Sequence, residues 1–273
     1  MKNNKRDKVI LITGGSSGIG KSIGIYLSSK GYRVYGTSRS PEKYSDFNEF
    51  RLLALDVSDK NSIETAIDTV IAEEGRIDVL INNAGAGITG PLEEIPEEEI
   101  VKNFTTNFFG PVNVIKAVLP SMRKQKNGLI INVTSIAGYM GLPFRGIYSA
   151  SKAALEVTTE AWRMELKPFN IKMTNVAPGD FATNIAAGRY HAPLNEDSPY
   201  KTSYSKTLQL MDTHVDSGQD PKLMAMAVEE IIENDAPKVR YKVAVFMQRF
   251  SVVLHNFLPS KLYEKLLMNH YKL

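Results

Sequence analysis

The segment Val9-Ile10-Leu11-Ile12-Thr13-Gly14-Gly15-Ser16-Ser17-Gly18-Ile19-Gly20 constrains the fold more than any other in the chain. Its first four residues are a short, β-branched apolar run of the kind that fills a buried parallel strand. The glycines at 14, 18 and 20 then let backbone amides at a helix N-terminus approach a pyrophosphate. Beyond Gly20, the residues Ile23, Ile25, Tyr26 and Leu27 are expected on one side of a helix that ends near Ser28-Ser29-Lys30-Gly31, and Arg33-Val34-Tyr35-Gly36 starts the next strand. Strand, glycine turn, helix and strand within about 30 residues form a βαβ unit. The alternation continues downstream, with strands expected near residues 34, 52, 79, 130 and 173. A chain of 273 residues, 43% of them hydrophobic, fills one large core, and no low-complexity linker divides it. The expectation is a single α/β domain spanning 1–273: a doubly wound parallel sheet (Rossmann fold) with helices on both faces.

Chemistry enters with Tyr148-Ser149-Ala150-Ser151-Lys152, which puts a phenol and an ammonium one helical turn apart on the same face. A free tyrosine, with a pKa of roughly 10, is a sluggish acid near neutrality, and a neighbouring cation favours its phenolate. Such a pair can pass a proton to a carbonyl oxygen. Alone, the spacing is also met on solvated helix faces, and its weight comes from the glycine turn upstream.

Thr13-Gly-x-x-x-Gly18-Ile-Gly20 together with Tyr148-x-x-x-Lys152 resembles the short-chain dehydrogenase/reductase family, and the likeness runs from about residue 8 to 185. Asn82-Asn83-Ala84-Gly85, after the strand Val79-Leu80-Ile81, is similar to the family segment beside the adenine-side ribose. Ser135 follows the strand Leu129–Val133, thirteen residues before Tyr148, where family members place a catalytic serine. Pro178-Gly179-Asp180-Phe181-Ala182-Thr183 resembles the loop that meets the nicotinamide. The resemblance implies that Tyr148 is the acid/base and that Ser135 hydrogen-bonds the substrate oxygen. It further implies that Lys152 holds the nicotinamide ribose, and that Asn107 positions a water in a proton relay. Cofactor contacts implied on the same basis are Gly14, Ser16, Ser17, Gly18, Ile19, Gly20, with Asp56 and Val57 at the adenine, then Asn83, Ala84, Gly85, Pro178, Gly179 and Thr183.

The end of the second strand bears on cofactor choice. An acid there would bond a ribose 2′-hydroxyl, as in NAD enzymes. This chain has Ser38 and then Arg39, so a 2′-phosphate would meet a guanidinium, and NADP(H) is expected over NAD(H).

A net charge of +3 gives little support to a nucleic-acid partner, and zero cysteines exclude disulfides and thiol chemistry. The four histidines lie far apart without metal-ligand spacing, and no metal is assigned. Met1–Lys8 lacks the apolar core of a signal peptide, so a cytoplasmic location is the default expectation. The apolar stretch Ile136–Phe144 is expected to wall a substrate pocket through Met140, Leu142 and Phe144. With Leu166-Lys167-Pro168-Phe169, it resembles the 17β-hydroxysteroid and retinol dehydrogenase branch, which implies a bulky, hydrophobic ketone, aldehyde or alcohol as substrate. Reduction of a 3-oxoacyl or 3-keto lipid is the alternative. A non-catalytic dinucleotide sensor is a third reading, disfavoured by the intact set Asn107, Ser135, Tyr148 and Lys152.

Residues 184–222 lose clear periodicity and are expected to form a lid. The extension at 238–273 departs from the common family pattern of a strand followed by a glycine-containing tail. Leu262, Tyr263, Leu266 and Leu267 there share a helix face suited to the pocket or to a neighbouring subunit, so a homodimer or other homo-oligomer is expected. The apolar run Val243–Leu258 is too short and too interrupted to span a bilayer, which leaves peripheral lipid contact open.

Overall fold

A computed structural model describes residues 7–183, 188–216 and 218–273, with side chains undescribed over 212–216. In chain order the regular elements of the first half are β1 (Val9–Ile12), α1 (Gly18–Ser29), β2 (Arg33–Ser38), β3 (Arg51–Ala54), α2 (Lys60–Glu74), β4 (Val79–Asn82), β5 (Ile88–Thr89), α3 (Glu97–Phe104) and α4 (Gly110–Gln125). The second half adds β6 (Gly128–Val133), α5 (Gly146–Glu165), β7 (Ile171–Pro178), β8 (Tyr190–His191), α6 (Lys201–Asp216), α7 (Pro221–Glu233), β9 (Arg240–Val243), α8 (Phe246–Phe257) and α9 (Ser260–Tyr271).

Seven strands form one parallel sheet in the order β3-β2-β1-β4-β6-β7-β9. The chain winds outward from β1 in one direction and returns through β4 in the other. The switch point therefore lies between β1 and β4, where α/β sheets bind ligands at the carboxyl ends of their strands. Strand alternation divides the core. Val9 and Leu11 pack with residues of α2 and α4 on one face, whereas Ile10 and Ile12 pack with α1 and α7 on the other. The sheet is thus covered on both sides, and this is why its strands read as continuous apolar runs.

Three expectations need correction. Ile25 is 37% exposed, whereas Ile23 and Leu27 are fully buried. At about 100° per residue, Ile25 stands roughly 200° round the helix from Ile23. The stretch read as aperiodic contains α6, whose buried Tyr204, Thr207 and Met211 follow helical spacing. Tyr190–His191 also pairs with Ile88–Thr89, and Tyr204 donates its hydroxyl hydrogen to the Thr89 carbonyl at 3.0 Å. Within 184–222, residues 184–187 and 217 lie outside the described ones, as does the basic start of the chain. Finally, Phe144 turns away from the expected pocket wall to pack on Tyr204, with ring centroids 5.2 Å apart, in a left-handed backbone conformation (φ +57°).

Candidate active site

The glycine turn leaves β1 at the switch point. Gly14 and Gly18 adopt positive φ (+66° and +53°), which L side chains rarely tolerate. A Cβ on Gly20 would collide with the Gly14 carbonyl and the Asn83 amide. Thr13 braces the turn from below, because its Oγ1 accepts the backbone N–H groups of Asn83 (3.0 Å) and Ala84 (3.1 Å). Asn83 Nδ2 in turn donates to the carbonyls of Thr13 and Gly14. The side chain of Asn83 therefore holds the loop, while Ala84 packs so close to Gly14 that a Cβ there would stand 3.1 Å from the Ala84 Cα.

Ser17 caps α1 without a side-chain hydrogen bond to the helix, and no acid stands in the first turn. The first amides of α1 are thus left for an anion, with the positive end of the helix behind them. Ser16 and Ser17 flank that opening, and Thr183 approaches Gly18 from the loop after β7. This cradle, open where a Cβ would close it, fits a dinucleotide pyrophosphate. At the end of β2, Ser38 Oγ accepts the Ser40 amide (3.2 Å). Arg39 is exposed and has no ion-pair partner among the described residues. Asp56 closes a turn by accepting the amide (2.9 Å) and hydroxyl (2.6 Å) of Ser58. Val57 is buried against Gly110 at the start of α4.

α5 carries Tyr148 and Lys152, both buried. Lys152 Nζ donates to the Val133 carbonyl at 3.1 Å, and burial holds its pKa below the ordinary lysine range, with Tyr148 and Glu156 acting the other way. Lys152 Nζ and Asn107 Oδ1 each lie 3.2 Å from where a Gly85 Cβ would stand, so both groups converge on that glycine. Asn107 sits in a π-helical turn, Thr105–Phe109, between α3 and α4. Its Oδ1 accepts the Ala86 amide at 2.8 Å, and its Nδ2 reaches the Ala86 carbonyl, Asn103 and Ser151. Ser151 then donates to the Tyr148 carbonyl, which ties Asn107 to the turn of α5 that bears Tyr148. Ser135 Oγ accepts the Ala137 amide (3.1 Å), so it caps a short helical turn and keeps its own O–H free to donate.

Ser135, Tyr148, Ile19, Pro178, Gly179 and Thr183 all line one cavity of about 620 Å³, a volume suited to a small-molecule ligand. Met140 and Leu142 wall it as expected. Gly179 carries a packing constraint as well, since a Cβ there would run into Ala244 and Gln248 of the segment entering α8. Three ties fold α8 and α9 over the cavity. Gln248 donates to Asp180 (2.6 Å), Tyr263 donates to Met140 Sδ (2.7 Å), and Tyr271 interacts with Arg145 at the head of α5. Of the helix face expected to cover the pocket, Tyr263, Leu266 and Leu267 line it, and Leu262 points outward. A second cavity, of about 670 Å³, lies between α5, β9 and α8, but Ser135, Tyr148 and Lys152 do not line it.

Sequence reasoning missed several members of the site. Arg145 stacks on the Tyr148 ring, with its guanidinium carbon 5.3 Å from the centroid. Asn103 stands four residues before Asn107, and Glu156 four after Lys152, on shared helix faces. For Asn103 that spacing was a readable signal, whereas for Glu156 the spacing alone does not show that the carboxylate is buried.

Comparison with known proteins agrees with this geometry. The family model for short chain dehydrogenase matches residues 8–193. The chain is 43% identical over 258 residues to a 3-ketodihydrosphingosine reductase of Bacteroides thetaiotaomicron, covering 93% of this chain and 94% of that protein. It is 32% identical to human retinol dehydrogenase 8, covering 85% of this chain and 80% of the relative. The crystal structure of a short-chain dehydrogenase from Streptomyces avermitilis superposes with a TM-score of 0.84 at 30% identity, covering 97% of each chain. A glycine cradle at the switch point and a buried Tyr148–Lys152 helix beside it, in a chain so matched, are those of an oxidoreductase: the protein belongs to the short-chain dehydrogenase family.

Proposed function

We propose that the protein uses NADPH to reduce the 3-keto group of a long-chain, sphingoid-type lipid. The observation that carries this reading is the cavity itself. Apolar side chains from segments far apart in the chain, among them Ile88, Met140, Met211, Leu254 and Leu267, line one space with Ser135 and Tyr148. A long hydrocarbon chain matches such a wall, and the 43% identical relative is named for a ketone of this type. Arg39, exposed and without an acidic partner among the described residues, supports the preference for a 2′-phosphate.

The nicotinamide supplies a hydride to the carbonyl carbon when bound. Tyr148 gives its phenolic proton to the carbonyl oxygen as charge builds there. Ser135 donates its free O–H to the same oxygen and so stabilises the developing alkoxide. Lys152 holds a positive charge beneath the phenol and favours its ionisation. Asn107 fixes the turn of α5 that presents both.

The test compares oxidation of NADPH and NADH with 3-ketodihydrosphingosine and with a rigid polycyclic ketone. The long-chain ketone is expected to turn over faster, and Tyr148→Phe to lower kcat by about 10²-fold or more while NADPH still binds. Arg39→Ala is expected to weaken NADPH binding by about tenfold, the worth of a charge-assisted hydrogen bond, and to leave NADH unchanged. Preference for the polycycle would reject the lipid, and turnover retained in Tyr148→Phe would reject the acid.

A further inference from the structure

We propose that the outer face of α8 is a docking surface for membranes bearing anionic phospholipid. Four side chains, Phe246, Phe250, Val253 and Phe257, follow one another at spacings of four, three and four residues and so form a single stripe. They are 67%, 39%, 43% and 82% exposed, and the rings of Phe246 and Phe250 stack at 5.7 Å. A stripe of three phenylalanines held in water is costly, because burying each ring is favourable by roughly 25 cal/mol per Å² of apolar surface.

Charge identifies what covers it. Residues 238–273 carry seven lysines and arginines against one acid, Glu264, for a net charge of +6. The whole chain carries +3, so the remaining 237 residues carry −3. Lys238, Lys242 and Arg249 line the second cavity and make no ion pair among the described residues. Arg240, in the same cavity, is already paired with Glu156 and Glu160. A second copy of this chain would bring the same positive charge to the face and be repelled. An anionic bilayer surface complements it, since each basic residue near such a surface contributes about 1 kcal/mol.

The arrangement around α8 agrees with docking in the membrane plane. At about 100° per residue the phenylalanine stripe is bordered on one side by Arg249 and Asn256, which face the basic cavity. On the other side it is bordered by Met247 and Leu254, which line the cavity holding Ser135 and Tyr148. Headgroup-seeking cations and the apolar wall of the active-site cavity therefore flank the same lipid-seeking stripe. At 12 residues, α8 is roughly 18 Å long, well short of the ~30 Å hydrocarbon core. It can lie in the interface and cannot cross it. The docking surface stands independently of the proposed substrate, because its test requires no turnover.

Purified full-length protein is floated with phosphatidylcholine vesicles made with and without phosphatidylglycerol. Binding is expected only, or at least tenfold more tightly, with phosphatidylglycerol, and it should fall as salt rises. Phe250→Ser with Phe257→Ser, and separately Lys242→Glu with Arg249→Glu, should each reduce vesicle binding by about tenfold or more, with thermal midpoints and NADPH binding unchanged. Three outcomes would overturn the proposal. They are vesicle binding by the variants equal to that of the wild type, conversion of a dimer to a monomer by the phenylalanine pair, and binding of a single-stranded oligonucleotide to this face where phosphatidylglycerol does not bind.

Discussion

Glu156 is the residue whose chemistry the fold exposes most directly and the sequence least. It lies one helical turn beyond Lys152, is 2% exposed, and accepts from Thr134 (2.5 Å), Asn175 (2.9 Å) and Arg240 (3.1 Å). Burial raises its pKa above the ordinary 4.5, while these donors pull the other way. A raised value in the folded state means that the protonated form is the one favoured by folding. Its contribution to stability is fully present below pH 4.5 and is lost as pH rises through the folded value. Glu156→Gln lacks that loss, so its thermal midpoint should gain on the wild type as pH climbs above 4.5. The carboxylate also raises the pKa of Lys152. Its removal should let the ammonium give up its proton at lower pH, moving the alkaline limb of the kcat/KM profile to lower pH. An unmoved limb would mean that Glu156 only packs. Tyr148 and Lys152 were legible because their spacing has a chemical meaning beside a glycine turn. Glu156 has the same spacing, but a carboxylate on a helix ordinarily faces water, and only the register of β7 shows what encloses it.

At the scale of elements, local patterns were readable and pairings between distant segments were not. The βαβ alternation follows from runs such as Val9–Ile12 and Leu129–Val133, whose residues are buried in the sheet as their composition requires. Nothing local, however, aligns Asn82, Asn132 and Asn175, which stand side by side on β4, β6 and β7. Asn82 donates to Asn132 (2.9 Å), Asn132 to Thr159 (2.8 Å), and Asn175 to Glu156, so this polar row fastens the sheet to α5. A one-residue slip of any of these strands would turn an asparagine to the opposite face and undo the attachment. α6 escaped detection for a different reason. Its inward face is Tyr204, Thr207 and Met211, and the threonine in the middle breaks the apolar period that marks a helix. The π turn that presents Asn107 likewise has no signature in Thr105-Thr106-Asn107-Phe108-Phe109, because it is set by Ala86 and Ser151 from other segments.

Across the whole molecule, burial is unevenly distributed, and this sets which part opens first. The sheet with α1, α2, α4 and α7 forms two broad cores whose members are almost all inaccessible to solvent. α8 contributes one buried residue, Val252, and α9 two, Tyr263 and Tyr271. The hairpin they form is held by a smaller satellite cluster with Ile136, Met140, Ala177 and Ala244, together with its polar ties to Asp180 and Arg145. Opening it exposes little apolar surface and leaves both cores intact, so its opening free energy lies well below that of global unfolding. Hydrogen exchange should therefore show the amides of α8 and α9 exchanging by local opening, while those of β1, β4 and α4 exchange only when the chain unfolds. Met247, Leu254, Leu266 and Leu267 line the active-site cavity, so filling it should slow the hairpin specifically. Dihydrosphingosine, the alcohol product of the proposed reaction, added with NADP is the ligand to use. Slowed exchange confined to α8, α9 and the cavity wall would make this hairpin the mobile cover of the site. Exchange in the hairpin as slow as in α4, with and without ligand, would mean that substrate enters elsewhere.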